Sequence, residues 1–195
     1  MNYNNNDPIP DSTNSTWGTA IIGARTGYDV SVVPLNDYVG TFGYLYNWYA
    51  VNDPRKLCPD GWHVPTDSDW NKLVISWHSG TPVADTSSFS SLQSATAGTA
   101  LKSQVTNTSS GSGLGWNPAT PPSPGTNTSG FTALPGGYRY LDGSFNVIRS
   151  LAVFWSATEL DNDFAWGRGL YDSDGNVYRG TSLKTFGESV RCLRD

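Results

Sequence analysis

The chain has 195 residues, of which 15% are charged, with 21 glycines, 8 tryptophans, 10 tyrosines and a formal net charge of −5. That length accommodates one domain with a real core and an appended arm. The glycine and aromatic content excludes a helical bundle and suits a loop-rich fold of short strands, with rings in the core or against a ligand. The acidic balance argues against nucleic acid and anionic membrane surfaces as partners, and no apolar run reaches the length of a membrane span.

Residues 1–16 are Asn, Asp, Ser, Thr and Pro with little that is apolar, which predicts a solvated, partly disordered arm. Ala20-Ile21-Ile22-Gly23 and Tyr28-Asp29-Val30-Ser31-Val32-Val33 are strand-like, the second ended by Pro34. Gly43 to Val51 is short and apolar on both faces, the pattern of a central strand. Thr66 is a good N-cap with Asp69 three residues on, and Trp70, Leu73, Val74 and Trp77 form one apolar face. This predicts a helix over 67–79, stopped by Gly80. A second helical segment is expected near Ala95–Lys102. Residues 103–130 form a long Ser/Thr/Gly/Pro-rich passage of the kind that covers or builds a site. Ala165–Tyr171, the turn Asp172-Ser173-Asp174-Gly175-Asn176 and Val177–Thr181 read as a β-hairpin, and Glu188–Leu193 as the last strand.

The stretch Leu57-Cys58-Pro59-Asp60-Gly61-Trp62-His63-Val64-Pro65-Thr66 looks at first like a reactive or metal site. Cys58 and Cys192 are the only cysteines, and two ligands so far apart make a poor zinc site. A disulfide is the better reading, two buried free thiols the alternative. Closing so long a loop would contribute roughly 4–5 kcal/mol in the chain-entropy model and implies an oxidising compartment. His63, between Trp62 and Val64, reads as a hydrogen-bonded structural residue, and His78 as a helix-terminal one. No Gly-x-Ser-x-Gly, His-Glu-x-x-His or Gly-x-x-x-x-Gly-Lys pattern is present. Asp67 and Asp69 belong to a helix start. Asp172-Ser173-Asp174-Gly175-Asn176 has a faint calcium-loop pattern without the later bidentate Glu, and reads as a turn.

Several motifs, in order, carry a resemblance. Gly43-Tyr44-Leu45-Tyr46-Asn47-Trp48-Tyr49-Ala50-Val51 is followed by the Cys58 to Thr66 stretch with Trp70 and Leu73, then by Thr96-Ala97-Gly98, Leu101-Lys102 and Gly130-Phe131. Gly136-Gly137-Tyr138-Arg139, Phe154-Trp155-Ser156-Ala157-Thr158-Glu159, Ala165-Trp166-Gly167-Arg168 and Ser189-Val190-Arg191-Cys192 complete the series. Together they resemble the Fibrobacter succinogenes major paralogous domain over residues 41–195, leaving 1–40 as an N-terminal arm or accessory segment. The resemblance implies an α+β, C-type-lectin-like fold: small twisted antiparallel sheets, one or two helices, long loops and a helix-to-last-strand disulfide. It also implies a bacterial surface or lipoprotein module, membrane-attached only through a lipid anchor. Glu-Pro-Asn, Gln-Pro-Asp and Trp-Asn-Asp, the calcium-dependent sugar ligands of true C-type lectins, are absent, so fold analogy alone does not license sugar binding.

The last third is similar to the variable proteins of diversity-generating retroelements, which rewrite adenines in a C-terminal repeat. An AAY template codon then becomes any NNY codon, which excludes Met, Trp, Lys, Gln and Glu. Between Tyr140 and Phe186 the residues of that excluded set are Trp155, Glu159, Trp166 and Lys184, each at a fixed family position. The ligand-contacting positions so implied begin with Tyr140, Arg149, Ser150, Leu151 and Val153. Leu160, Asp161, Asp163 and Phe164 follow, then Tyr171, Asp172, Ser173 and Tyr178, and finally Thr181, Ser182, Leu183, Thr185 and Phe186. Strand alternation places Trp166, Arg168 and Leu170 on one face and Gly167, Gly169 and Tyr171 on the other. Val177 and Arg179 likewise oppose Tyr178 and Gly180. Small, aromatic and acidic side chains together suit an adaptable binding surface.

These features predict a non-enzymatic binding module on a cell surface or phage virion, without cofactor or metal, for a protein or glycan ligand. Oligomerisation stays open. The alternatives are a pilus-tip, surface-lipoprotein or virion assembly subunit with residues 1–40 as docking arm, and an enzyme related to formylglycine-generating sulfatase modifiers. The latter uses a cysteine pair near the chain end, for which Cys58 and Cys192 are too few and too structural in context.

Overall fold

The computed structural model describes residues 2–28, 38–79, 90–104, 115–117 and 125–195. Its first segment is body rather than arm. Tyr3, Ile9 and Trp17 are buried, and α1 (Asn14–Trp17) presents Trp17 to the Arg139 guanidinium, 4.5 Å from the ring centroid. Arg139 also donates to the Ser12 carbonyl at 3.0 Å and to Asn14 Oδ1. The polar composition of residues 2–16 concealed this, because three large apolar side chains suffice to pin a segment whose polar groups pair with backbone.

β1 (Arg25–Thr26) precedes α2 (Tyr38–Phe42), and pairs antiparallel with β2 (Leu45–Tyr46). The central strand expected over Gly43–Val51 stops at Asn47, which caps α3 (Trp48–Val51). Its side-chain oxygen accepts from Ala50 N at 3.1 Å and Ala24 N at 2.8 Å, and its amide donates to the Ile22 carbonyl at 2.8 Å. A fully buried asparagine with these partners outweighs the β propensity of the rings around it.

After β3 (Trp62–His63), α4 (Asp67–Trp77) forms with the expected cap. Thr66 Oγ1 accepts from Asp69 N at 3.2 Å while Asp69 Oδ2 accepts from Thr66 N at 3.1 Å. Trp70 and Val74 face the core and Leu73 flanks it, whereas Trp77 lies at the exposed end. The helix closes on an extended His78, and Gly80 lies outside the described residues. β4 (Ser90–Ser94) leads into α5 (Ala97–Leu101), within the second helical segment anticipated. Most of the passage 103–130 lies outside the described residues, though Trp116 is buried.

β5 (Tyr138–Arg139) and β6 (Phe145–Asn146) form a two-stranded ribbon. β7 (Leu151–Glu159), β8 (Phe164–Tyr171) and β9 (Val177–Leu183) join β4 in a four-stranded antiparallel sheet of order β4-β9-β8-β7. The last strand is shorter than predicted. β10 (Leu193–Arg194) pairs with β3, and Glu188 and Ser189 make only single bridges, to Tyr46 and Phe154. The molecule is thus a mixed α+β fold of small antiparallel sheets and few helices.

The central sheet has two unlike faces. One carries Ala152, Phe154, Leu170 and Val177 against Trp70, Val74, Ala97 and Leu101 of α4 and α5. The other is covered for only half its length, where Trp155 and Ala165 meet Trp48, Val51, Cys58 and Val64. Cys58 and Cys192 are bonded, their Cα atoms 5.8 Å apart. They lock the covered half to the chain end, which β3 and β10 also hold. Among the described residues no helix is long and apolar enough to cross a membrane.

Candidate functional site

The uncovered half of the second face forms the candidate site. Past Ala165, β8 offers Gly167 and Gly169 to this side and β9 offers Gly180, the register partner of Gly167. Two missing side chains facing each other leave the sheet as bare floor. Among the described residues nothing lies within 4 Å of where a Gly180 Cβ would project. The result is a cleft of about 520 Å³. Rings form its sides: Tyr138 stacks on Phe186 with centroids 5.7 Å apart, Tyr140 leans on Phe186 at 5.0 Å, and Tyr171 meets Tyr178 edge-on at 5.4 Å. Leu151 and Val153 close the β7 side.

The floor holds one carboxyl group. Glu188 is 1% exposed, and a Cβ on Gly167 would stand 3.2 Å from its Oε2. Burial pushes the Glu188 carboxyl up to about 7, against a smaller opposing pull from a Ser182 hydrogen bond. Among the described residues Oε2 has no hydrogen-bond partner. Burial also raises the Tyr138 phenol, helped by Tyr140, Tyr171 and Glu188 around it.

The opposite face explains why the floor stays rigid. Arg168 and Arg179, alternating with the cleft glycines, both reach Asp67 at the start of α4, at 2.8 Å and 3.0 Å. Arg168 donates further to Gln93 and Asn71, each at 2.7 Å. The Arg179 guanidinium lies 3.3 Å from the Trp166 ring centroid. Burial alone would raise the Asp67 carboxyl, but the hydrogen bonds and charge of Arg179 and Arg168 hold it below the usual carboxylate range. At the rim, Lys102 donates to the Tyr171 and Asp174 carbonyls at 3.0 Å and 2.6 Å, fixing the β8–β9 turn.

A family model, that of the Fibrobacter succinogenes major domain, matches residues 2–194. The chain belongs to that family. The match begins ahead of residue 41, where the motif resemblance starts, and takes in the packed N-terminal segment. This family member matches no curated protein and no solved structure.

Within this family member, the predicted contact positions divide into those at the cleft and those elsewhere. Leu151, Val153, Tyr171, Tyr178, Thr181, Ser182 and Phe186 line it, and Tyr140 packs on Phe186 at its edge. The structure does not bring the others to it. Arg149 and Ser150 are engaged with Asn117, at 3.0 Å and 2.7 Å. Asp161 accepts from the amides of Asp163 and Phe164, both at 2.9 Å, so Leu160, Asp161 and Asp163 belong to the β7–β8 turn. Leu183 is the register partner of Phe164, on the Trp166 side of the sheet. Asp172 and Ser173 sit in the β8–β9 turn, and Thr185 beyond β9 is half-buried away from the lining. That turn is built internally: Asp174 accepts from Asn176 N at 2.9 Å and from the Tyr178 hydroxyl at 3.0 Å.

Tyr138 and Glu188 line the cleft without having been expected there. The available signal was Glu188 itself, an acidic residue between Gly187 and Ser189 in a segment read as strand. His63 takes no part in the cleft. Its Nδ1 lies 2.5 Å from Asp195 and its Nε2 3.4 Å from Asp69, and the Asp195 contact chiefly raises its pKa.

Proposed function

We propose that this family member is a non-enzymatic, surface-displayed binding module that takes a protein or glycan ligand in the Tyr138–Tyr178 cleft. One observation carries the reading. Every described cleft-lining residue from Leu151 to Phe186 is of a type that an NNY codon encodes. The excluded types of that span lie elsewhere: Trp155, Trp166 and Lys184 are buried at 0%, 8% and 5% exposure, and Glu159 pairs with Lys184 at 2.9 Å, while Glu188 on the floor lies beyond the span. That division supports a retroelement-diversified face on a constant scaffold. A C-type-lectin-like arrangement is the fold we infer, supported by the paired chain end, the helix under the sheet and the helix-side disulfide.

The test has two parts. An adenine-rich near-copy of the segment coding for residues 138–195, beside a reverse transcriptase gene, is expected in the neighbouring DNA; its absence ends the diversification reading. Tyr171→Ala should abolish capture of the ligand found by protein and glycan arrays while leaving the melting temperature nearly unchanged, since Tyr171 is 41% exposed. Unchanged capture would end the binding-face reading.

One observation favours the assembly reading. Ile21 and Ile22 are adjacent and 76% and 65% exposed, an apolar pair suited to a subunit contact. Concentration-dependent sedimentation abolished by Ile22→Asp would support it.

A further inference from the structure

The polar inventory of the cleft is lopsided. Four aromatic rings, Tyr138, Phe186, Tyr171 and Tyr178, line the cleft together with a carboxyl group whose Oε2 has no partner among the described residues. The lining residue with a basic side chain, Arg168, commits its guanidinium to Asp67, Gln93 and Asn71 on the other side of the sheet. A buried carboxylate without a counter-charge is costly, and a ligand cation that supplies one recovers that cost on binding. Ring faces add attraction for a cation and none for an anion. Glu188 is 1% exposed, yet a side chain on Gly167 would meet Oε2 at 3.2 Å and, among the described residues, the space over Gly180 is open, so a head group settling over these glycines meets the carboxyl once its side chain turns towards the cleft.

Building on the binding-module reading, we infer that the group seated in this cleft is a cation. It is the ammonium or guanidinium head of a lysine or arginine side chain on a protein ligand, paired with Glu188 Oε2 and flanked by the rings of Tyr171, Tyr178 and Phe186. The narrow glycine floor suits a slender side chain entering end-on, with its methylenes against Leu151 and Val153. Among protein and glycan ligands this selects proteins, since neutral glycans carry no such head group. Anionic ligands are turned away by the net charge of −5, and further by the carboxyl once it ionises.

Nuclear magnetic resonance titration with Nα-acetyl-L-arginine methylamide and Nα-acetyl-L-lysine methylamide tests this, with Nα-acetyl-L-citrulline methylamide as the uncharged isostere of the first. The cationic probes are expected to shift the amides of Gly167, Gly169 and Gly180 saturably, and the citrulline probe not to. Glu188→Gln, nearly the same shape, should raise their Kd by at least about tenfold. An independent readout in the unaltered protein is the side-chain carboxyl 13C resonance of Glu188. Ser182 from β9 bonds it and the Tyr138 phenol from β5 lies in its field, while Tyr171 from β8 and Tyr178 from β9 line the same cleft. Saturating arginine probe should move its titration midpoint to lower pH, and citrulline probe should not. Equal shifts by arginine and citrulline probes, with Glu188→Gln unaffected, would overturn the cation and leave the binding face standing. No shift with any probe would also overturn it, the face then being judged by Tyr171→Ala alone.

Discussion

The Arg168 guanidinium, wholly buried, meets the Asp67 carboxylate at 2.8 Å across the junction of sheet and helix. Arg179 reaches the same carboxylate at 3.0 Å, so one acidic side chain satisfies two arginines from neighbouring strands. Removing it leaves two buried guanidinium groups without their shared carboxylate. Asp67→Ala is expected to destabilise the protein by about 3–5 kcal/mol, read from chemical denaturation. The folded carboxyl is held below its unfolded value, so its contribution is present above the unfolded value near pH 4 and fades as pH falls through the folded one. The variant should therefore lose part of the acid sensitivity of the native protein.

Gly180 and Gly167 are register partners with different tolerances. Gly180 faces open space, and its backbone is not in the left-handed region, so Gly180→Leu should fill the cleft, abolish ligand capture and change stability by less than about 1 kcal/mol. A Cβ on Gly167 would press to 3.0 Å from the Phe154 carbonyl and 3.2 Å from Glu188. Gly167→Ala is expected to cost about 1–3 kcal/mol as overpacking. Calorimetry on the pair distinguishes floor from core; equal losses would mean that Gly180 is packed too.

Glu188 should leave a mark on the pH dependence of stability. Its folded carboxyl is raised to about 7 from an ordinary value of 4.5, so the native state binds the extra proton between those values. Stability contributed by this group is full below about pH 4.5 and falls as pH rises towards 7, the reverse of the Asp67 case. The shift corresponds to a loss on the order of 3 kcal/mol across that window. Glu188→Gln should flatten the descent. Denaturation midpoints measured from pH 5 to 8 check this, and an identical slope in the variant would show that another group titrates there.

What could be read from the chain was what local pattern determines. Thr66, Asp69, Trp70 and Val74 announce α4 within a few residues of one another, and the alternation through Trp166 to Tyr171 sorts the hairpin into scaffold and cleft faces. Cys58 and Cys192 paired because no other cysteine competes. Where long-range partners decide, the pattern misled. Asn47 ends a strand by bonding Ala24 and Ile22. Glu188 and Tyr138 come to the cleft through the bridges of Tyr46 to Glu188 and Arg139 to Gly187, which no spacing announces. Arg149 and Asp161 looked variable, but Arg149 is held by Asn117 from a distant part of the chain and Asp161 by the amides of its own turn.

The N-terminal segment offers the sharpest contrast between composition and packing. Trp17 is fully buried between Arg139 and the Gly187 turn, where a Gly187 Cβ would come within 2.7 Å of its ring. Gly187 precedes Glu188, so the ring also braces the cleft floor from beneath. Trp17→Ala is expected to cost about 3–5 kcal/mol through the cavity it leaves. It should also weaken ligand capture by letting Gly187 and Glu188 shift, an effect a detached arm would not produce. Trp17→Phe should restore most of both, since it fills part of the volume and keeps a ring under the Arg139 guanidinium. A Trp17→Ala protein with native melting temperature and native capture would mean that the segment does not support the domain.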